Sequence, residues 1–210
     1  VAFIVSLRLN AQCESSVVDS TISIQDIPIE INGSTSDSGD DFIVIYENED
    51  GSIDTVAGYA SNDKIYQFTL GFTDDDLDFV NDQAINLFVD MCRNGVSFDA
   101  SIAIVKADGI DCRNVTEDEL IITHYETVDA GALCPEADYS NPAFLPIARD
   151  IYLDQPGIYY IVVDGYHAED NGDFSMVIGE MSYFEDYPLQ DPHQPQNLWV
   201  DIEFSTEIYG

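Results

Sequence analysis

Short apolar runs separated by polar turns recur along most of the chain. Within the runs, β-branched and aromatic residues either alternate with polar ones or are continuous, and Gly, Pro, Asn and Asp bound them. This pattern is typical of strands joined by turns. The segments predicted as one strand or a pair of strands are 21–31, 42–46, 64–70, 84–92, 100–106, 120–125, 148–153, 157–166, 172–179 and 198–204.

The clearest pair of runs is 157–166 and 172–179. The first lies between Pro156-Gly157 and Asp164-Gly165, and the second begins at the Gly-Asp turn of Gly172 and Asp173. We interpret them as a β-hairpin with a loop of about eight residues.

The pattern indicates an all-β protein, because no segment has a helical period of convincing length and none repeats. We predict an antiparallel β-sandwich, jelly-roll-like, with an extended N-terminal strand and a C-terminal strand. Its parts are an apolar strand over 1–12, the sandwich over 13–182, and a linker with a last strand over 183–210. No run of apolar residues is long enough to span a membrane.

Several motifs resemble the bacterial pre-peptidase C-terminal domain family. They are a D-x-Y-x-F-x-L strand with one inserted residue at Asp63–Leu70, the runs 89–92 and 97–102, and the final pair 156–166 and 172–178. The resemblance covers roughly residues 13–180. It implies a jelly-roll-like sandwich, exported from the cell, without catalytic residues of its own.

The charge balance is extreme, with 41 Asp plus Glu against 6 Lys plus Arg and a net charge of -35. Such a chain cannot displace the counterions of a phosphate backbone, which excludes nucleic acid as a partner. Anionic membrane surfaces are excluded for the same reason. Self-repulsion also opposes packing unless salt or cations screen it. We therefore expect an extracellular or cell-surface location in a salty or calcium-containing medium. The alternative is that the acidic residues only keep a secreted protein soluble.

Four cysteines, an even number without C-x-x-C spacing, favour two disulfides over a zinc site. Three pairings are open. We favour Cys112 with Cys134, which closes a long loop, and Cys13 with Cys92, which ties the N-terminal segment to a core strand.

Calcium is the cation that the acidic loops favour, because it binds carboxylate and carbonyl oxygens. The residues predicted to hold it are Asp164, Asp170, Asn171 and Asp173, and an ordinary solvated loop is the alternative. His124, His167 and His193 have no partners at metal or triad spacing, so zinc or acyl-transfer chemistry has no support. Tyr159, Tyr166 and Trp199 fit either the core or a platform for an extracellular glycan.

The N-terminal segment has two interpretations. Phe3, Val5, Leu7 and Leu9 share one face at period two, as in a half-buried strand, whereas the same stretch also reads as the end of a signal peptide. The strand interpretation predicts a non-enzymatic extracellular filament, pilus-like, in which copies of the chain join head-to-tail by donating this strand. The signal-peptide interpretation predicts an accessory ligand- or carbohydrate-binding module of a secreted enzyme or adhesin.

Overall fold

The structure, a computed structural model, describes residues 18–48, 50–57, 61–72, 83–92, 95–107, 110–124 and 145–184. Within these ranges almost every regular element is a strand. The strands are β1 (Val18–Thr21), β2 (Ile29–Ser34), β3 (Val44–Glu47), β4 (Ile53–Ala57), β5 (Lys64–Leu70), β6 (Ile85–Asp90), β7 (Ala100–Lys106), β8 (Val115–Thr116), β9 (Leu120–His124), β10 (Ile147–Leu153), β11 (Gly157–Gly165) and β12 (Asp173–Glu180). A short helix, α1 (Met181–Phe184), follows β12, and 3-10 turns cover Ile24–Asp26 and Glu117–Glu119.

The strands form three sheets. The first sheet has the order β1-β5-β11-β7-β9, the second β10-β6-β12-β2 and the third β4-β3-β8. Neighbouring strands are antiparallel except for β1 with β5 and β3 with β8. The prediction of an all-β antiparallel sandwich is confirmed.

The first sheet is buried on both faces, so the fold has three layers. One face packs against the second sheet around a first core that includes Phe68, Ile161 and Met176. The other face packs against the third sheet around a second core that includes Phe42 and Val162. Val162 and Val163 lie next to each other in β11 and belong to different cores, as the alternation of side chains along a strand requires.

The predicted hairpin of 157–166 with 172–179 is wrong in its pairing. Both strands exist, but β11 pairs with β5 and β7 in the first sheet, whereas β12 pairs with β6 and β2 in the second. Both edges of β11 are therefore occupied, and the segment between the strands crosses from one sheet to the other. Gly165 allows this crossing, because a Cβ there would lie 1.9 Å from the carbonyl oxygen of Asp170.

Most predicted strands agree with the structure, and 64–70 and 100–106 match it to the residue. The third sheet is the main omission, because β4 follows an acidic turn and β8 has only two residues. No helix in the described residues is long and apolar enough to cross a membrane.

Candidate functional site

The four residues predicted to hold calcium lie in two different settings. Asp164 is 3% exposed at the end of β11, and its Oδ1 accepts a short hydrogen bond from Ser61 Oγ and one of 2.7 Å from the Gly165 amide. Asp170 lies in the exposed loop after β11, where its Oδ2 accepts from the His167 amide at 2.9 Å.

The other two predicted ligands bond within the same exposed region. The Asn171 side chain donates to the Glu169 carbonyl at 3.1 Å and accepts from Ser36 Oγ at 3.3 Å. Asp173 begins β12, is exposed, and donates through its amide to Ser97 Oγ at 3.1 Å. In the described residues no three His, Cys, Asp or Glu side chains converge as a metal site. Calcium binding at this loop stays a prediction.

A pair of buried carboxyl groups, Asp63 and Asp164, lies at one end of the second core. Val163 of β11 is paired with Lys64 of β5, so the next residue on β11 is level with the residue before β5. Each Asp is 3% exposed. Asp63 Oδ2 accepts hydrogen bonds from the amides of Asp41 at 2.8 Å and Phe42 at 2.9 Å, which fixes the segment that leads into β3.

Burial governs the ionisation of both groups. It raises the pKa of Asp63 to about 7, against the lowering effect of its two backbone hydrogen bonds. It raises the pKa of Asp164 to about 8, and the neighbouring Asp63 carboxyl adds to the rise while Ser61 opposes it. Asp164 Oδ2 is buried without a hydrogen-bond partner. Below neutral pH both carboxyl groups therefore hold their protons, as expected for carboxyl groups removed from water.

In the sequence, Asp63 stands out only as part of a motif and Asp164 only as a predicted loop ligand. A signal was present, since each Asp directly flanks an apolar strand segment. Their proximity depends on the pairing of β11 with β5, which the predicted hairpin did not include.

A second feature is an open sheet edge beside partly exposed isoleucines. The second sheet ends at β2, whose other side pairs with no strand among the described residues. Ile24, Ile27, Ile29 and Ile31, here called the isoleucine row, are partly buried and pack against the first core. The row therefore leaves apolar surface of the first core partly exposed beside β2.

A third feature is an exposed aromatic ring at the opposite edge of the second sheet. Tyr152 of β10 is 59% exposed and is paired with Asn86 of β6. Two residues earlier, a register shift places Asp150 at φ 55°, and its Oδ1 accepts from Asn86 Nδ2 at 3.4 Å. Asn86 Oδ1 is buried without a partner.

Some of the remaining predicted residues lie outside the part of the chain that the structure describes. Phe3, Val5, Leu7, Leu9, Cys13, Cys134, His193 and Trp199 lie outside the described residues. Cys92 and Cys112 are disulfide-bonded, and their pairing stays a prediction. Tyr159 belongs to the first core and stacks on Phe68 with ring centroids 5.3 Å apart, which confirms the core interpretation for this tyrosine.

Comparison with known proteins finds a similarity among solved structures. No protein-family profile and no curated protein matches the chain. Among solved structures, the comparison finds the pre-peptidase C-terminal domain of a collagenase from Bacillus anthracis, with 12% identity over 77% of this chain and 95% of that chain and a TM-score of 0.36. This is the family that the sequence motifs resemble.

Proposed function

We propose that the chain is a non-enzymatic extracellular structural protein, a subunit that assembles head-to-tail by donating its N-terminal strand to a neighbouring copy. The observation that supports this function best is the open edge of β2 beside the isoleucine row. An edge strand offers unpaired amide and carbonyl groups, and adding a strand satisfies them while covering the apolar side chains beneath.

Burial of apolar side chains favours such a contact, and charge repulsion opposes it. Phe3, Val5, Leu7 and Leu9 supply one apolar face, and burying a large apolar side chain contributes about 1.5 to 3 kcal/mol. Repulsion between subunits of charge -35 opposes association, so assembly requires salt or cations.

The test compares the full chain with a chain that lacks residues 1–12, by light scattering after size-exclusion chromatography in high salt. We expect multimers from the full chain and a folded monomer from the truncated one. Leu7→Asp should also give a monomer, whereas Ser6→Ala, on the opposite face of the segment, should assemble normally. A full chain that stays monomeric at high concentration in salt and calcium contradicts the proposal.

A second candidate function is an accessory ligand- or carbohydrate-binding module of a secreted enzyme or adhesin. The exposed Tyr152 ring supports it, because an exposed aromatic ring with a neighbouring amide is suited to stacking on a sugar ring. In this case residues 1–12 are the remnant of a signal peptide.

Sedimentation with insoluble polysaccharides tests the second candidate. Tyr152→Ala should lower binding about twofold to tenfold if the ring carries the contact, since aromatic contacts contribute about 0.5–1.5 kcal/mol beyond the area that they bury. Ile53→Ala, which removes a side chain that is 63% exposed, is the control. Mass spectrometry of the mature N-terminus separates the two functions directly, because only the first requires residues 1–12 to be retained.

A further inference from the structure

The edge of β2 has two chemically different faces. Ile29 and Ile31 point toward the first core and remain partly exposed, while Glu30 and Asn32 lie on the outer face of the second sheet and are exposed. A strand added beside β2 therefore needs apolar residues at every second position on the core side. On its outer side it meets Glu30, whose carboxylate accepts a long hydrogen bond of 3.5 Å from Ser175 Oγ within the described part of the chain.

Two alternating segments of the chain lie outside the described residues, and charge distinguishes between them. The C-terminal segment 198–204 carries Asp201 and Glu203 between its apolar residues, so it would set acids beside Glu30. The N-terminal segment 3–9 has no acidic residue and carries Arg8 on its polar face. Opposite charges on neighbouring strands stabilise a pair and like charges destabilise it. The N-terminal segment is therefore the better fit to this edge.

We propose that the open edge of β2 is the acceptor site of the assembly and that it binds residues 3–9 of a second copy of this chain, with Arg8 beside Glu30. The proposal rests on the proposed strand-donating function and adds the location and register of the contact. The apolar residues of the donated strand cover the isoleucine row. The basic side chain of the donor lies beside Glu30, in a chain that has only 6 Lys plus Arg.

A charge-swap experiment in the full chain tests the site. Glu30→Lys and Arg8→Glu should each weaken self-association, by about threefold to tenfold, because each places like charges side by side. The double variant should recover the wild-type association. Asp154→Lys is the control, since Asp154 is exposed just after β10, which lies at the far edge of the second sheet. Analytical ultracentrifugation gives the association constants, and circular dichroism checks the fold.

The outcomes separate this proposal from the function on which it rests. Recovery in the double variant supports the acceptor site. One outcome is that the wild type assembles and Leu7→Asp abolishes assembly, while the charge swaps have no effect. In that case the strand-donating function is supported and the acceptor site at β2 is wrong. A monomeric wild type in which hydrogen exchange shows segment 3–9 protected overturns the second-copy contact in favour of insertion into the same molecule. A monomeric wild type in which segment 3–9 is not protected from hydrogen exchange overturns both the acceptor site and the strand-donating function.

Discussion

Two of the buried carboxyl groups, Asp63 and Asp164, lie side by side in the interior of the fold. Among the residues that the structure describes, neither accepts a hydrogen bond from a cationic side chain, yet each has a defined structural contact. Asp63 binds two amides that lead into β3, and Asp164 binds Ser61 and the Gly165 amide. Because burial disfavours the charged form, the folded state holds these protons more tightly than the unfolded chain does.

This difference gives stability a predictable dependence on pH. The pKa of each group rises from 3.8 in the unfolded chain to about 7 for Asp63 and about 8 for Asp164. Between pH 4 and those values the folded state binds more protons, so the free energy of unfolding falls as pH rises. The slope is at most about 1.4 kcal/mol per pH unit for each group. The contribution of these two protonated groups to the free energy of unfolding is fully present below about pH 4 and is lost by about pH 8.

Urea denaturation at several pH values measures this effect, with Asp164→Asn as the key variant. The amide cannot ionise, so the variant should lose less stability than the wild type between acidic and alkaline pH. Asp173→Asn removes one exposed negative charge and serves as the control. Equal slopes for the wild type and Asp164→Asn would contradict the assignment.

At the scale of elements, β11 is central because it has a neighbour on both edges and a core on both faces. A two-layer sandwich would leave one face of this strand toward solvent. Here Val162 and Val163 are both 0% exposed and contribute to different cores. The third sheet is therefore part of the folded domain and covers a second apolar interior.

Truncating these two valines tests the three-layer arrangement. Val162→Ala and Val163→Ala should each lower the free energy of unfolding by about 2 kcal/mol, through lost transfer energy and the cavity left behind. Thr69→Ala, at an exposed position of β5, should change it by less than about 0.5 kcal/mol. A near-neutral Val162→Ala would mean that the third sheet does not cover the first.

Strand positions could be predicted from the sequence much better than strand partners. Lys64–Leu70 and Ala100–Lys106 are bounded by polar residues and turns, so local composition fixes their limits. Partners depend on which face is buried, and β11 and β12 are buried on both faces, so no alternation of buried and exposed positions assigns either strand to a sheet. The Asp63–Asp164 pair depends on that pairing and was missed with it.

At the scale of the whole molecule, charge is the dominant property. The described residues contain ion pairs between Lys64 and Asp19 and between Arg113 and Asp41, which compensate only a small part of a net charge of -35. Long-range repulsion among the uncompensated acids therefore opposes the compact state.

Salt should stabilise this protein. Raising NaCl from about 0.01 M to about 1 M shortens the Debye length from about 30 Å to about 3 Å and screens the repulsion. A gain of about 2 kcal/mol would raise the Tm by about 4–8 °C for a domain of this size. Differential scanning calorimetry measures the shift, and a Tm that falls with salt would contradict it.

Calcium and magnesium, compared at equal ionic strength, separate screening from specific binding. If the loop after β11 holds calcium, calcium should raise the Tm beyond magnesium, and Asp170→Asn should remove the excess. Chelation that leaves both Tm and assembly unchanged would eliminate calcium as a ligand.

The central place of β11 also constrains how the domain folds. Val162 pairs with Ile65 in the first sheet, and Met176 pairs with Ile31 in the second, so both sheets join segments far apart in the chain. Such non-local pairing slows folding, because the chain must close long loops before the contacts form. Neither sheet is complete until the segment after Gly157 has left the ribosome. A nascent chain that stops before β11 therefore exposes unpaired apolar strands and cannot fold from its amino-terminal part alone.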